Sequence, residues 1–148
     1  MVIVESQVEP MPVPAGLVEA AARETLSQQE AVGALTVVLS DDAQLRQLNH
    51  QYLGIDATTD VLSFPEAETD PDTGETYLGD VIISVAQAQV QARANGHPLE
   101  SELQLLVVHG VLHLLGHDHA RSEDRTRMWS AQAEVLKRLD LQGITFQE

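Results

Sequence analysis

Between Leu99 and Leu115 the apolar residues Leu103, Leu105, Leu106, Val107, Val108, Val111, Leu112, Leu114 and Leu115 run almost all the way round a helical wheel. A helix without a polar side belongs in the middle of a fold, and the rest of the chain must be arranged to cover it. Gln104, His109, Gly110 and His113 interrupt the run, which falls well short of the ~18 clean apolar residues of a membrane span. At 148 residues the chain has the size of one ordinary domain, enough to bury roughly 68–70% of its unfolded surface around one core. A single domain over residues 1–148 is expected, with that helix at its centre.

The covering elements read as short strands and amphipathic helices. Val2 to Val4 suits a first strand, and Pro14 opens a helical pattern with Leu17, Val18, Ala21, Ala22 and Leu26 on one side. Ala34 to Leu39 is rich in β-branched residues, and Ser40-Asp41-Asp42 then offers N-cap chemistry to a helix carrying Leu45, Leu48 and Tyr52. Val61 to Phe64 and Val81 to Val85 read as two further strands, joined by an acidic polar loop from Glu66 to Thr76 with a Pro-Asp-Thr-Gly turn. Ser84 caps a short helix that ends at Asn95-Gly96, and Pro98 stands at the start of the long one. A last helix, about Ser122 to Leu139, places Met128, Trp129, Ala133, Leu136 and Leu139 on its buried side. That makes four strands and five helices, with no internal repeat and no linker.

Cysteine is absent, so disulfide frameworks and thiolate metal sites are excluded and a transition metal would have to be held by His, Asp or Glu. The first residues carry Glu5 and Glu9 and no basic residue, unlike a secretory signal, which points to a cytoplasmic protein with no membrane contact. The formal net charge of −15 repels a phosphate backbone at long range. The distribution tempers this, because Arg121, Arg125, Arg127, Lys137 and Arg138, five of the eight Lys and Arg residues, lie in the last 28 positions. Glu123, Asp124 and Glu134 lie among them, the pattern of a solvated, paired helix face ahead of that of a nucleic-acid contact.

Four of the six histidines fall in the eleven residues His109-Gly-Val-Leu-His113-Leu-Leu-Gly-His117-Asp-His119. On an α-helix His109 and His113 stand one turn apart, ~6 Å along one face, so their imidazoles can converge on a single ion. His117 would lie ~12 Å from His109 along a continued helix and could not share that ion. Gly116 can take the left-handed conformation that ends a helix, turning the chain back so that His119 reaches the metal. The ligand set read from the sequence is His109, His113 and His119 around one zinc per chain, with the fourth position left for water, the arrangement of a catalytic site. Asp118 is the nearest candidate for a general base or for a carboxylate that orients a ligand histidine.

The spacing H-x3-H-x2-G-x2-H is also that of metzincin peptidases, whose second motif position is a glutamate that shuttles the proton. Gly110 stands there instead, which makes a metallopeptidase the secondary reading. The motif HGVLHLLGHDH, together with Leu48-Asn49, Tyr52, the block Thr59-Asp60-Val61-Leu62-Ser63-Phe64-Pro65 and Leu78-Gly79-Asp80, resembles the YbeY family of rRNA-maturation endoribonucleases across about residues 34–140. The resemblance implies an α+β domain with a four-stranded mixed sheet, the same three histidines as zinc ligands, and single-strand-specific cleavage of rRNA precursors in ribosome maturation, with no action on DNA. It further implies a small-subunit ribosomal protein and an Era-like GTPase as partners, and Asp60 and Ser63 as groove residues. A third reading is a ribosome-assembly docking factor in which zinc only closes the fold. The chain departs from the family at two positions. Leu53 stands where an arginine, a presumed phosphate contact, is usual, and His117 stands in place of tyrosine, where it could orient Asp118, donate to phosphate or face solvent. The chemistry expected is attack on a phosphodiester by a zinc-activated hydroxide or ribose 2′-hydroxyl.

Overall fold

The computed structural model describes residues 1–118 and 120–141. In chain order the elements are β1 (Val2–Ser6), α1 (Ala15–Gln28), β2 (Ala34–Ser40), α2 (Asp42–Leu53), β3 (Val61–Thr69), β4 (Thr76–Ser84), α3 (Val85–Asn95), α4 (Leu99–Leu114) and α5 (Ser122–Arg138). This is the expected single α+β domain. The strands form one mixed sheet in the order β1-β2-β4-β3, parallel between β1 and β2 and between β2 and β4, antiparallel between β3 and β4.

Local chemistry sets the boundaries. Asp41 caps α2 by accepting the Gln44 N–H at 2.9 Å, and Ser84 caps α3 by accepting that of Gln87 at 3.2 Å. Pro14 and Pro98 stand immediately before α1 and α4, where a fixed φ and a missing N–H cost nothing. The register aligns Leu35, Val37 and Leu39 of β2 with Gly79, Val81 and Ile83 of β4. Alternation puts these side chains on one face, where they join Val18, Ala21, Ala22 and Leu26 of α1 and nearly the whole of α4 in one core. Twelve of the 16 residues of α4 are buried, as its all-round apolar pattern requires.

Three expectations are corrected. The acidic segment from Glu66 to Thr76 is mostly hairpin rather than loop: β3 runs on to Thr69 and β4 begins at Thr76, with an irregularity between Pro65 and Glu68 where Ala67 has φ 53°. Residues 65–69 are exposed, so acidic side chains are tolerated on strand backbone and no hydrophobic alternation marks it. On α5 the buried positions are Met128, Ala131, Gln132, Val135 and Leu136, while Ala133 faces solvent. On α2 the buried partner of Leu45 is Asn49, whose amide donates to the Ala57 carbonyl at 2.9 Å, and Tyr52 is exposed. Among the described residues no helix is long and apolar enough to cross a membrane.

Candidate active site

The C-terminal half of α4 lies directly on β3 and β4. An ideal Cβ at Gly110 would stand 2.5 Å from Val81 Cγ1 and 3.2 Å from Val61 Cγ2, so glycine is required for the approach. The Ser63 hydroxyl donates to the Gly110 carbonyl at 2.8 Å and ties the helix to the edge strand. This contact fixes the rotation of α4 and turns His109 toward α5.

His109 is 3% exposed. Its Nδ1 lies 3.1 Å from Oε1 of Gln132 on α5, and the Trp129 ring centroid is 6.0 Å from its own. An amide oxygen can only accept, so this bond places the proton on Nδ1 and the lone pair on Nε2. Nε2 of His113 lies 3.2 Å from Nε2 of His109, the rings meeting edge to face with centroids 4.7 Å apart. The two imidazoles converge through the same nitrogen, as the one-turn spacing predicts.

α4 then stops in a Schellman turn: Gly116, with φ 95°, donates to His113 O at 3.1 Å and His117 N–H donates to Leu112 O at 3.0 Å. The expected left-handed glycine is present and ends the helix. His119 itself lies outside the described residues, and within those residues no group of three or more His, Asp or Glu is gathered as a metal site.

The other expected residues divide. Asp118 is exposed and its Oδ1 accepts the Ala120 N–H at 3.3 Å, within its own loop. His117 donates from Nε2 to Oε1 of Gln29, the residue that caps the C-terminus of α1, at 2.6 Å, and burial, helped by nearby Arg127, holds its imidazole below the ordinary pKa. Its ring bonds the end of α1 rather than Asp118. Asp60 caps Val61 N–H at 2.8 Å and accepts from Gln91 Nε2 at 3.1 Å, bonds that anchor the start of β3. Asp80 accepts from the Tyr77 hydroxyl at 2.5 Å, and burial pushes that phenol up to about 12. Leu53 is exposed and brings no charge to the surface. Gln132 is the functional residue that sequence reasoning passed over. Its signal was a long amide among Met128, Ala131, Val135 and Leu136, where an apolar residue would be expected.

The fold and site together define an α+β domain that presents two convergent imidazoles at the end of a buried helix and beside a sheet edge. The family model for endoribonuclease YbeY matches residues 12–140. The endoribonuclease YbeY of Roseiflexus sp. (strain RS-1) is 44% identical over 137 residues, covering 87% of this chain and 86% of its own. That of Pelotomaculum thermopropionicum is 48% identical over 132 residues, covering 85% and 86%. The chain belongs to the endoribonuclease YbeY family, and with it to the nuclease hydrolases. The solution structure of TM1509 from Thermotoga maritima shares the fold, with a TM-score of 0.59 at 24% identity over 95% of this chain and 92% of that one.

Proposed function

We propose that this chain is a zinc-dependent endoribonuclease that cuts single-stranded segments of rRNA precursors during ribosome assembly in the cytoplasm, with His109, His113 and His119 holding one zinc. The observation that carries the reading is the Nε2 to Nε2 separation of 3.2 Å. Two nitrogens each ~2.0–2.1 Å from one tetrahedral zinc stand ~3.3–3.4 Å apart, so the pair already has the bite of a tetrahedral ion. The Gln132 carbonyl supports it by holding His109 in the tautomer that a metal accepts, and the left-handed Gly116 ends the helix ahead of the third histidine.

A zinc held there supplies Lewis-acid polarisation of a phosphoryl oxygen and activation of the attacking water or ribose 2′-hydroxyl. The chain does the rest of the work. Trp129 covers one side of His109 and keeps water from it, Gln132 fixes the ring, and the Ser63 bond to Gly110 O holds α4 in place against β3. Asp118, on the exposed turn, is the carboxylate we assign to orient a ligand or take up a proton. The acidic surface suits a basic small-subunit ribosomal protein as partner, alongside an Era-like GTPase.

The peptidase reading fails on packing as well as on chemistry, since the carboxylate it needs at position 110 would have to displace Val81. The test is metal content of the untagged protein, with cleavage of a single-stranded RNA before chelation, after it, and after zinc is restored. The proposal expects about one zinc per chain, cleavage that stops with the chelator and returns with zinc, and loss of cleavage in His113→Ala with the fold kept. Cleavage that survives zinc removal would refute the mechanism. A large fall in the melting temperature of His113→Ala, with no RNA cut by the wild type, would establish the docking factor with a structural zinc instead.

A further inference from the structure

α1 packs along α4, and two polar bonds cross between them. Near their starts the Gln104 amide donates from Nε2 to the Leu17 carbonyl at 3.0 Å, and past their ends the His117 ring donates from Nε2 to Gln29 Oε1 at 2.6 Å. Gln29 stands 12 residues beyond Leu17 and His117 stands 13 beyond Gln104, each ~18–20 Å of helical rise. The matched spacing means that the two helices run parallel and in step. The second bond therefore falls where α4 has already ended in its Schellman turn.

Gln29 is itself well held. Its backbone N–H donates to Thr25 O at 3.0 Å, the last turn of α1 buries Thr25 and Leu26, and its Nε2 donates to Gln28 Oε1, which leaves Oε1 to accept. An amide oxygen only accepts, so Nε2 of His117 carries the proton that it shares with α1. The segment it pins is short, since residues 117–121 alone connect Gly116 to the start of α5 at Ser122. The His117 N–H is tied to Leu112 O at 3.0 Å, so backbone and ring hold this residue at two points. His119 follows two positions later, and at 3.8 Å per Cα step a residue two positions on stays within ~8 Å of the pinned one.

We propose that His117 is a positioning residue of the zinc site: by bonding Gln29 it fastens the segment after α4 to the end of α1 and keeps the third histidine within reach of the pair on α4. Two of the three ligands share a helix and are fixed by it, whereas the third comes from connecting chain, whose freedom is lost on binding unless it is already restrained. A restraint in place before the metal arrives lowers that loss, so the bond contributes to affinity without touching zinc. This deepens the endoribonuclease reading and rests on its ligand set.

The experiment is a competition titration of zinc against a chromophoric chelator on the untagged full chain, beside thermal unfolding of each apoprotein. His117→Phe keeps a ring and removes the donor, and Gln29→Met keeps the length and removes the acceptor. Each should weaken zinc binding about tenfold, the equivalent of fixing roughly one more residue of backbone. The freed segment regains its entropy in the apoprotein, so the apoprotein Tm should stay near that of the wild type. The double variant should bind zinc as each single variant does, since the two residues act through one bond. Gln29→Glu should retain the affinity, because a carboxylate accepts the same N–H. If His117→Phe weakens zinc while Gln29→Met does not, His117 acts otherwise than through α1 and the inference falls. It falls also if both variants leave the affinity unchanged, if their effects multiply in the double variant, or if affinity is lost only in step with the apoprotein Tm. In all these cases zinc binding that His113→Ala abolishes leaves the endoribonuclease reading standing. A wild type that binds no zinc would bring down that reading's ligand set and the inference together.

Discussion

Gly110→Ala tests whether the close approach of α4 to the sheet positions the site. Its new methyl would stand 2.5 Å from Val81 Cγ1, 3.2 Å from Val61 Cγ2 and 3.3 Å from Val81 Cγ2, against the ~3.5–4.0 Å of a relaxed carbon contact. Val81 is fully buried and lies between Val37 and Ser63 in the sheet register, and its β-branched side chain has little rotamer freedom. The helix must therefore lift by about 1 Å, stretching the 2.8 Å bond from Ser63 to Gly110 O. Replacing a mid-helix glycine by alanine contributes about 1 kcal/mol in favour of the variant. Overpacking costs about 1–3 kcal/mol and the weakened hydrogen bond about 1 more.

The net expectation is destabilisation of about 1–3 kcal/mol, at about 2–4 °C of Tm per kcal/mol for a chain of this size. RNA cleavage should drop further than the Tm alone explains, because His109 is the neighbouring residue. Thermal and urea unfolding of Gly110→Ala, Val81→Ala and the double variant measure it. Val81→Ala removes two of the three close methyl groups, including the closest, so the double variant should be more stable than the sum of the single effects by about 1 kcal/mol or more. A Gly110→Ala variant at or above the wild-type Tm would refute the reasoning, for it would mean that the helix stands off far enough for the glycine to be a mere defect.

Gln132→Leu removes the acceptor of His109 Nδ1 and should weaken zinc binding about 10–100-fold with little loss of Tm; unchanged affinity in a competition titration against a chromophoric chelator would sink the tautomer argument. Gly116→Ala meets no atom within 4 Å, so its cost is that of the positive φ alone, about 1–2 kcal/mol, and a variant with unaltered Tm would show that the turn does not need its left-handed residue. Glu102 is 2% exposed and 3.3 Å from His97, and burial outweighs that partner and raises its carboxyl above the ordinary 4.5. The folded chain then holds a proton that the unfolded chain has released, so stability falls as pH climbs from 4.5 through the raised value, and Glu102→Gln should flatten that fall in urea titrations. A wild-type slope retained by the variant would assign the pH dependence elsewhere. Asp42 carries the opposite sign: the Ser84 hydroxyl, 2.7 Å away, leads the bonds that lower its pKa from 3.8, so stability present above 3.8 is lost on acidification, and Asp42→Asn should lose the most near neutrality.

What could be read from the sequence was whatever depends on local periodicity. The histidine pair follows from a one-turn spacing within one helix, the Schellman turn from a glycine at its end, and the central position of α4 from its lack of a polar face. What could not be read depends on which elements meet. Gln132 and His109 are 23 residues apart on different helices, and nothing local distinguishes a buried amide that bonds a histidine from a polar residue at the edge of a stripe. Ala133 was misplaced for a related reason: alanine is compatible with either side of α5, whereas Ala131 and Val135 settle the buried face only once α5 lies against α1 and α4. The hairpin extension to Thr69 escaped notice because exposed strand backbone needs no apolar alternation.

Gly110 unites the two levels. In the sequence it marks a missing proton shuttle, an absence that weakens one hydrolase reading without supporting another. In the structure it is the point where α4 has no side chain so that Val81 and Val61 can approach, and its carbonyl takes the Ser63 hydroxyl. A glutamate at this position would separate helix from sheet and disturb the rotation that turns His109 toward Gln132. The packing that aims the imidazoles therefore also excludes the carboxylate base that peptidases carry between them. On the endoribonuclease reading, proton transfer would fall to the substrate's own hydroxyl, to water, or to a group beyond the Gly116 turn, where Asp118 stands.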